Sequence, residues 1–410
     1  MGSSLISMEK PIVEIDGDEM ARVMWAWVKE KLIIPYVDLK VEYYDLHIKN
    51  RDETNDEVTI KAAEAIKRLK VGVKCATITP NAERIKEYNL KKEWKSPNAT
   101  IRNILDGTIF RAPIILSNII PAVRFWRKPI VVARHAFGDI YDGIGLRFEG
   151  PAEGEVTIKQ ENGKEIKAKF PMFRSSGVIQ AIYNLDASIE NFARASFRYA
   201  LENKLDLWFA AKDTISKVYD AKFKEIFSKI YENEFKDKFH NAGLNYNYFL
   251  IDDAIARVVR SEGGFVWACK NFDGDVFSDF VATAYVGSLA LMTSVLFSPE
   301  GHFLSEAAHG TVQKHYYKYL KGEKTSTNPT AIIFAWSSAL KRSGEITGNM
   351  ELFNFACKLE EAVKVTIEMD RIMTADIANV SEPPINKIVS TEEFIEAIRR
   401  NLNKLLKIHP

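Results

Sequence analysis

Seventeen residues, "KSPNATIRNILDGTIFR" from Lys95 to Arg111, set Ser96, Asn98, Arg102 and Arg111 among Ile101, Ile104, Leu105, Ile109 and Phe110. A solvated surface has no need of the apolar interleaving, and a plain core excludes arginine. A small anion bearing several carboxylates satisfies both halves of the pattern. Each guanidinium offers a planar fork that meets a carboxylate in two parallel hydrogen bonds. Further on, "RHAFGDIYDG" supplies Arg134 at the end of an apolar run and Tyr141 seven residues later. A tyrosine hydroxyl beside cations can act as a general acid, although most tyrosines simply pack.

"NFDGDVFSDF" (271–280) adds Asp275 and Asp279, four apart. A helix would present both carboxylates on one face, where they repel unless a cation lies between them. Asp252 or Asp253 in "LIDDAIARVV" could complete such a site. Three carboxylates without His or Cys suit Mg²⁺ or Mn²⁺ rather than Zn²⁺. The competing reading is a solvated or N-capping acidic pair, and no EF-hand spacing is present. "LWFAAKDTI" ends an apolar run on Lys212. Partial burial there would lower the amine's pKa and make it a base, whereas a lysine at a strand end is more often a surface group.

"EAAHGTVQKHYY" combines Glu306, His309, Gly310, Thr311, Lys314 and His315. A tight glycine turn beside a Lys–His pair suits a phosphate. Neither GxGxxG nor GxxxxGK[ST] occurs, so the usual marks of a Rossmann dinucleotide site and of a P-loop are missing.

These groups must be positioned by an alternation of strands and helices. "VGVKCATIT" (71–79), "PIVVAR" (129–134), "LWFAAK" (207–212), "FVWACK" (265–270) and "LMTSVLF" (291–297) read as buried strands. Met20, Val23, Met24, Trp27 and Val28 form one apolar helix face, and Ile189, Phe192, Ala193, Phe197, Ala200 and Leu201 another. Ser390 with Glu393 is a capping-box pattern ahead of a last helix through Phe394, Ile395, Ile398, Leu402 and Leu405. The class is α/β. "GEVTIKQENGKEIKAKF" (154–170) differs, alternating around Asn162-Gly163 as a hairpin does. A three-residue loop, Asn162-Gly163-Lys164, would pair Val156 with Phe170 and Ile158 with Ala168. Such a ribbon is unstable alone and needs a partner surface, either its own domain or a second copy of the chain.

The 410 residues carry a net charge of +1 and are 46% hydrophobic, which gives no global signature of nucleic acid or membrane binding. The basic run "LKKEWK" lacks a stacked aromatic platform. No run of 18 apolar residues occurs. Three dispersed cysteines without CxxC suit a reducing compartment, and with no readable leader the expectation is cytoplasm, or mitochondrial matrix after removal of a transit peptide.

Taken together, "GDEM" (17–20), "YYDLHIKNRDETND" (43–56), "GVKCATITP" (72–80), "KSPNATIRNIL" (95–105), "ARHAFGD" (133–139), "EGGFVWACKNFDGDV" (262–276), "EAAHGTV" (306–312) and "TSTNP" (325–329) resemble the homodimeric, NADP-dependent isocitrate dehydrogenases of the eukaryotic type, within the decarboxylating β-hydroxyacid dehydrogenases. The resemblance runs from about Pro11 to the last helix. It implies the non-Rossmann isocitrate/isopropylmalate dehydrogenase-like fold. The expected division is a discontinuous, cofactor-binding large domain (1–105 and 285–410), a small domain (106–138 and 186–284) and a dimerising clasp (139–185).

It also implies roles for individual residues. Thr79, Ser96, Asn98, Arg102, Arg111 and Arg134 would bind the three carboxylates of isocitrate. Asp275 and Asp279, with Asp252 from the partner subunit, would hold Mg²⁺ or Mn²⁺. Lys212, also from the partner, would act as the base, and Tyr141 would protonate the enol of 2-oxoglutarate. Lys74, Thr77, Thr79, Arg84, Gly310, Thr311, Val312, Lys314, His315 and Asn328 would bind NADP, with Arg260 and Arg257 assisting from the partner. Lys314 and His315 would take the 2′-phosphate, where an NAD enzyme would place a carboxylate at the ribose.

The chain departs from the family pattern at Ala99 (for Gly), at Lys314 (for Arg, which loses the bidentate fork) and at Asp142 (for a cation beside Tyr141). "AYVGSLALM", around Val286, carries an extra residue and lacks a glycine. None of these removes a catalytic group. Sibling dehydrogenases acting on isopropylmalate, tartrate or homoisocitrate are the nearest alternative, and Ser96 with Asn98 favours isocitrate's third carboxylate over an apolar substituent. A catalytically dead binder would be expected to have lost Lys212, Tyr141 or an aspartate.

Overall fold

Runs of Val, Ile, Phe and Ala bounded by Gly, Pro and charged residues favour strands buried on both faces. In the computed structural model, which describes residues 5–385 and 387–408, the five runs become the strands Val71–Lys74, Ile130–His135, Asp206–Ala211, Phe265–Cys269 and Met292–Phe297. All belong to one ten-stranded sheet. Its order is Tyr246–Leu250, Asp206–Ala211, Phe265–Cys269, Ile130–His135, Thr108–Pro113, Met292–Phe297, Phe303–Ala307, Val71–Lys74, Ile12–Asp16 and Val41–Asp45. The four strands at each end pair in parallel. The two central ones, Thr108–Pro113 and Met292–Phe297, run antiparallel to both of their neighbours.

The "VGVKCATIT" strand is shorter than its apolar run. Its ladders end where Lys74 meets Ile15 and Glu306, and the chain then leaves the sheet, carrying Thr77 and Thr79 into a loop.

The helices follow their apolar faces. Glu19–Val28 buries Met20, Met24 and Val28, and Asp186–Glu202 buries Ile189, Phe192, Ala193, Phe197 and Ala200. Thr391–Leu406 opens on the Ser390/Glu393 capping box. The largest core packs Glu19–Val28, Thr330–Thr347, Met350–Glu368 and Thr391–Leu406 against the sheet. A second, aromatic core gathers Phe192, Phe197, Phe209, Phe223, Phe227, Phe235 and Phe239, each contributing roughly 1.5–3 kcal/mol by burial. Residues of Thr108–Pro113 serve two clusters: Phe110 lies in the aromatic core and Ile109 in a third cluster beneath Pro97–Leu105.

The hairpin corrects its expected register. Val156 pairs with Ala168 and Ile158 with Ile166, not with Phe170 and Ala168. The Gly163 amide donates to Gln160 O and the Gln160 amide to Lys164 O, so the loop is Glu161-Asn162-Gly163. Gly163 has φ +81°, the left-handed position that closes a three-residue loop, and it draws the turn one residue toward the N-terminus. A shift of two in pairing preserves the faces, so the apolar row survives. With the pair Ile144–Phe148 and Gly177–Ala181, the ribbon exposes Ile144, Leu146, Val156, Ile158, Ile166 and Val178. Among the described residues, no helix is long and apolar enough to cross a membrane.

Candidate active site

The Asn271–Val286 helix presents a polar stripe to the sheet at i, i+4, i+7 and i+8: Asn271, Asp275, Ser278 and Asp279. Asn271 Oδ1 accepts from Arg134 Nε at 2.8 Å, and Ser278 Oγ accepts from Arg111 at 2.6 Å. Asp275 is gripped by the Arg134 guanidinium and lies 3.5 Å from Arg111, as does Asp279. The approach requires Gly274, where a Cβ would lie 2.7 Å from Arg134 Cβ. Tyr141, on the short turn Asp139–Asp142, donates to Asp275 at 2.7 Å with its ring 4.7 Å from the Arg134 guanidinium.

Arg102 is buried on Pro97–Leu105, a helix capped by Ser96, and donates to Glu306 at 2.6 Å. Asn98 stands one turn before Arg102. Its Oδ1 and the Nε of Arg111 are both buried without a hydrogen-bond partner in the protein. Thr79 is exposed in the loop after Lys74. Three guanidiniums thus stand close enough to act on one another, with Arg102 and Arg111 both bearing on Arg134.

The electrostatics follow from this crowding. Burial, reinforced by Arg102 and Arg111, brings Arg134 down to about 9, with Asp275 opposing. Burial raises Asp275, but Arg134 and Arg111 outweigh it and hold the carboxyl below its usual range. Burial pushes Tyr141 up to about 12, and the bond to Asp275 adds to the rise while Arg134 opposes it. Glu306 is driven the other way, to about 2, because Arg102 and Lys74 overcome its burial.

Lys212 and Asp252 form a separate pair: the ammonium donates to Asp252 at 2.5 Å, with the lysine about a third exposed and the aspartate two-thirds. Lys212 also donates its backbone N–H to Asp220 at 2.7 Å. Among the described residues no third His, Cys, Asp or Glu completes a cluster with Asp275 and Asp279. Two carboxylates with an open remainder fit a hard divalent ion whose remaining ligands come from elsewhere.

The Lys74 ammonium is fully buried, donating to Cys75 O at 2.8 Å and Thr77 Oγ1 at 3.0 Å; burial lowers it to about 8. Thr311 Oγ1 donates to Glu19 at 2.5 Å, and Arg84 pairs with the same carboxylate at 2.8 Å. Gly310 precedes Thr311, and Val312, at φ +58°, caps the helix Gln313–Leu320 that carries Lys314 and His315. His315 Nδ1 meets Thr327 Oγ1 at 2.6 Å, and Asn328 is buried, donating to Asp376 at 3.0 Å. Lys314 is exposed and forms no ion pair among the described residues, and the buried Nε2 of His309 has no partner. His309 Nδ1 donates to Gly310 O, which leaves Nε2 an acceptor, so the exposed Lys314 ammonium is the group here that fits an anionic dinucleotide. Arg260 lies apart, exposed with Arg257 on Ile251–Arg260.

Three contributors, Asn271, Ser278 and Glu19, escaped the sequence reading, as did the partner of Glu306. Asn271 and Ser278 lie on the same helical stripe as Asp275 and were accessible from the periodicity. Pairing of Glu306 with Arg102, and of Glu19 with Arg84 and Thr311, is long-range and left no local signal.

The centre of the mixed sheet thus brings the arginine Arg111 of one strand against the Asp275 and Asp279 carboxylates of the neighbouring helix. The chain belongs to the isocitrate/isopropylmalate dehydrogenase family, whose model matches residues 8–398. It is similar to "Isocitrate dehydrogenase [NADP], mitochondrial" of Saccharomyces cerevisiae, 49% identical over 98% of this chain and 95% of the relative. Likewise it is 49% identical to "Isocitrate dehydrogenase [NADP]" of Sphingobium yanoikuyae, over 97% of both. "Isocitrate dehydrogenase [NADP] 1" of Mycobacterium bovis is 50% identical over 98% of both.

Proposed function

We propose that this protein oxidatively decarboxylates isocitrate to 2-oxoglutarate and CO₂ with NADP⁺ as oxidant and Mg²⁺ or Mn²⁺ as cofactor. The observation that carries the reading is that Arg111 and Arg134 meet Asp275, Arg111 also meets Asp279, and Arg102 bears on Asp275 and on Arg134, matching a tricarboxylate and a hard cation together. The relatives named above supply the substrate and the dinucleotide.

In this reading Arg102, Arg111 and Arg134 hold the carboxylates, with Ser96, Asn98 and Thr79 hydrogen-bonding around them. Asp275 and Asp279, with Asp252 of the partner subunit, hold the metal. When bound, the ion supplies Lewis-acid stabilisation of charge at the C2 oxygen, and the nicotinamide supplies the hydride acceptor. Lys212 of the partner subunit, as the neutral amine once its ammonium proton has been given up, takes the proton of the C2 hydroxyl. Tyr141, protonated at neutral pH, delivers a proton to C3 after CO₂ departs. Lys74, Thr77, Thr79, Arg84, Gly310, Thr311, Val312 and Asn328 line the dinucleotide site, Lys314 and His315 take its 2′-phosphate, and Arg260 of the partner subunit assists.

A homodimer with shared sites is the corresponding assembly. Its support is the separation of Lys212 and Asp252 from the Asp275 cluster, together with the exposed apolar row from Ile144 to Val178. We divide the chain into 1–105 with 285–410, 106–138 with 186–284, and a clasp at 139–185; the distinct aromatic core supports the second unit. Three free cysteines suit the cytoplasm, while relatives include mitochondrial and peroxisomal forms.

The test is NADPH appearance with isocitrate and Mg²⁺, beside NAD⁺, isopropylmalate and a chelator. Chelator-sensitive turnover with NADP⁺ and isocitrate alone is expected. Turnover only with a sibling substrate would overturn the reading of Ser96 and Asn98.

A further inference from the structure

A network of side chains joins the helix Ala82–Tyr88 to Gln313–Leu320. Tyr317 donates to Glu87 and accepts from Gln313 at 2.7 Å. Glu87 also accepts from Arg84 at 2.8 Å, and Arg84 reaches the Tyr317 oxygen at 3.5 Å. The Nη1 of Arg84 that serves Glu87 also lies 2.8 Å from Glu19, and Nη2 donates to that carboxylate at 3.1 Å, the one that Thr311 also bonds. Glu19 itself stands at φ +54°, backbone that a non-glycine residue adopts only when its surroundings hold it there.

Arg84 and Thr311 therefore spend their hydrogen bonds on the protein's own acids. One guanidinium faces two carboxylates, so the local balance is negative where an anionic cofactor must arrive. We propose that Glu87 and Tyr317 form a strap across the cofactor cleft, which occupies Arg84 and weakens dinucleotide binding until the cofactor displaces it. The inference rests on the functional reading above and deepens it: neither Glu87 nor Tyr317 touches the reacting atoms, and both act through Arg84. The bond from Tyr317 ties the two helices together, and Glu87 neutralises the cation.

Glu87→Gln keeps the size of the side chain and removes its charge, whereas Tyr317→Phe removes the donor. The experiment measures NADPH dissociation constants and association rates by NADPH fluorescence, without metal or isocitrate, on the full chain. Each variant should bind about three- to fivefold more tightly, as release of a partly exposed ion pair permits, with faster association. The double variant should gain no more than the better single one, since both cut the same connection. Glu83→Gln, an exposed acid on the same helix, is the control and should change nothing.

Unchanged or weaker binding in both variants, or equal tightening in the control, would overturn the strap while leaving the proposed activity standing. Failure of the unmodified protein to bind NADPH at all would overturn the functional reading and the strap with it.

Discussion

Tyr141 donates a 2.7 Å hydrogen bond to Asp275, the carboxylate that Arg134 grips from the other side. The proposed proton donor, the proposed substrate cation and the proposed metal ligand are thus bound to one another. A metal entering alone has to take Asp275 from Arg134, and a substrate entering alone has to take Arg134 from Asp275. Arriving together, each resolves the other's conflict.

Metal and substrate binding should therefore be coupled. Mn²⁺ titrated calorimetrically should bind at least about tenfold more tightly with isocitrate present, and isocitrate should gain by the same factor from Mn²⁺, as linkage requires. Independent binding would contradict the Arg134–Asp275 lock.

The proposed sharing of sites between subunits predicts complementation. Lys212→Met and Asp275→Asn proteins should each lose about a hundredfold or more in turnover. Co-refolded in equal amounts, they should recover about a quarter of normal activity, because half of the statistical dimers contain one intact site. No recovery would place Lys212 and Asp275 in the same subunit's site.

Lys74 gives a pH dependence. Its amine falls from 10.5 to about 8 through burial, so its charge is lost as pH rises through that value. NADPH affinity should weaken between pH 7.5 and 9, and Lys74→Met should flatten that profile. Stability moves oppositely: between about 8 and 10.5 the unfolded chain binds the extra proton, so unfolding free energy rises with pH.

Glu306 supplies the acid limb. Its folded pKa lies at about 2 against an ordinary 4.5, so its contribution is present above 4.5 and is lost as pH falls toward 2. Glu306→Gln should cost about 3 kcal/mol in urea unfolding at pH 7, leaving Arg102 buried without its partner. The variant's stability should also vary less with pH across that window.

The five apolar runs declared their strands because strands buried on both faces are written continuously in sequence. The Ser390 cap and the Glu19–Val28 face were legible for the same local reason. The hairpin showed its faces but not its register, since alternation has a period of two and cannot distinguish a shift by two; Gly163 decided it. The arginines and aspartates were recognisable as types. That Glu306 holds Arg102, or that Glu19 joins Arg84 to Thr311, was not, because those partners are separated by 204 and by 65 and 292 residues. The family resemblance, rather than the spacing, assigned roles to Lys212 and Asp252.

The central strands Thr108–Pro113 and Met292–Phe297 are hydrogen-bonded on both edges, one to each half of the sheet. No loop hinge interrupts the ladder between the aromatic core and the larger one. The unbroken pairing couples the two halves, so we expect them to twist about these strands rather than separate. Relative motion over Arg111 should then be a small rotation, and heat should melt both cores in a single calorimetric transition despite their separate packing.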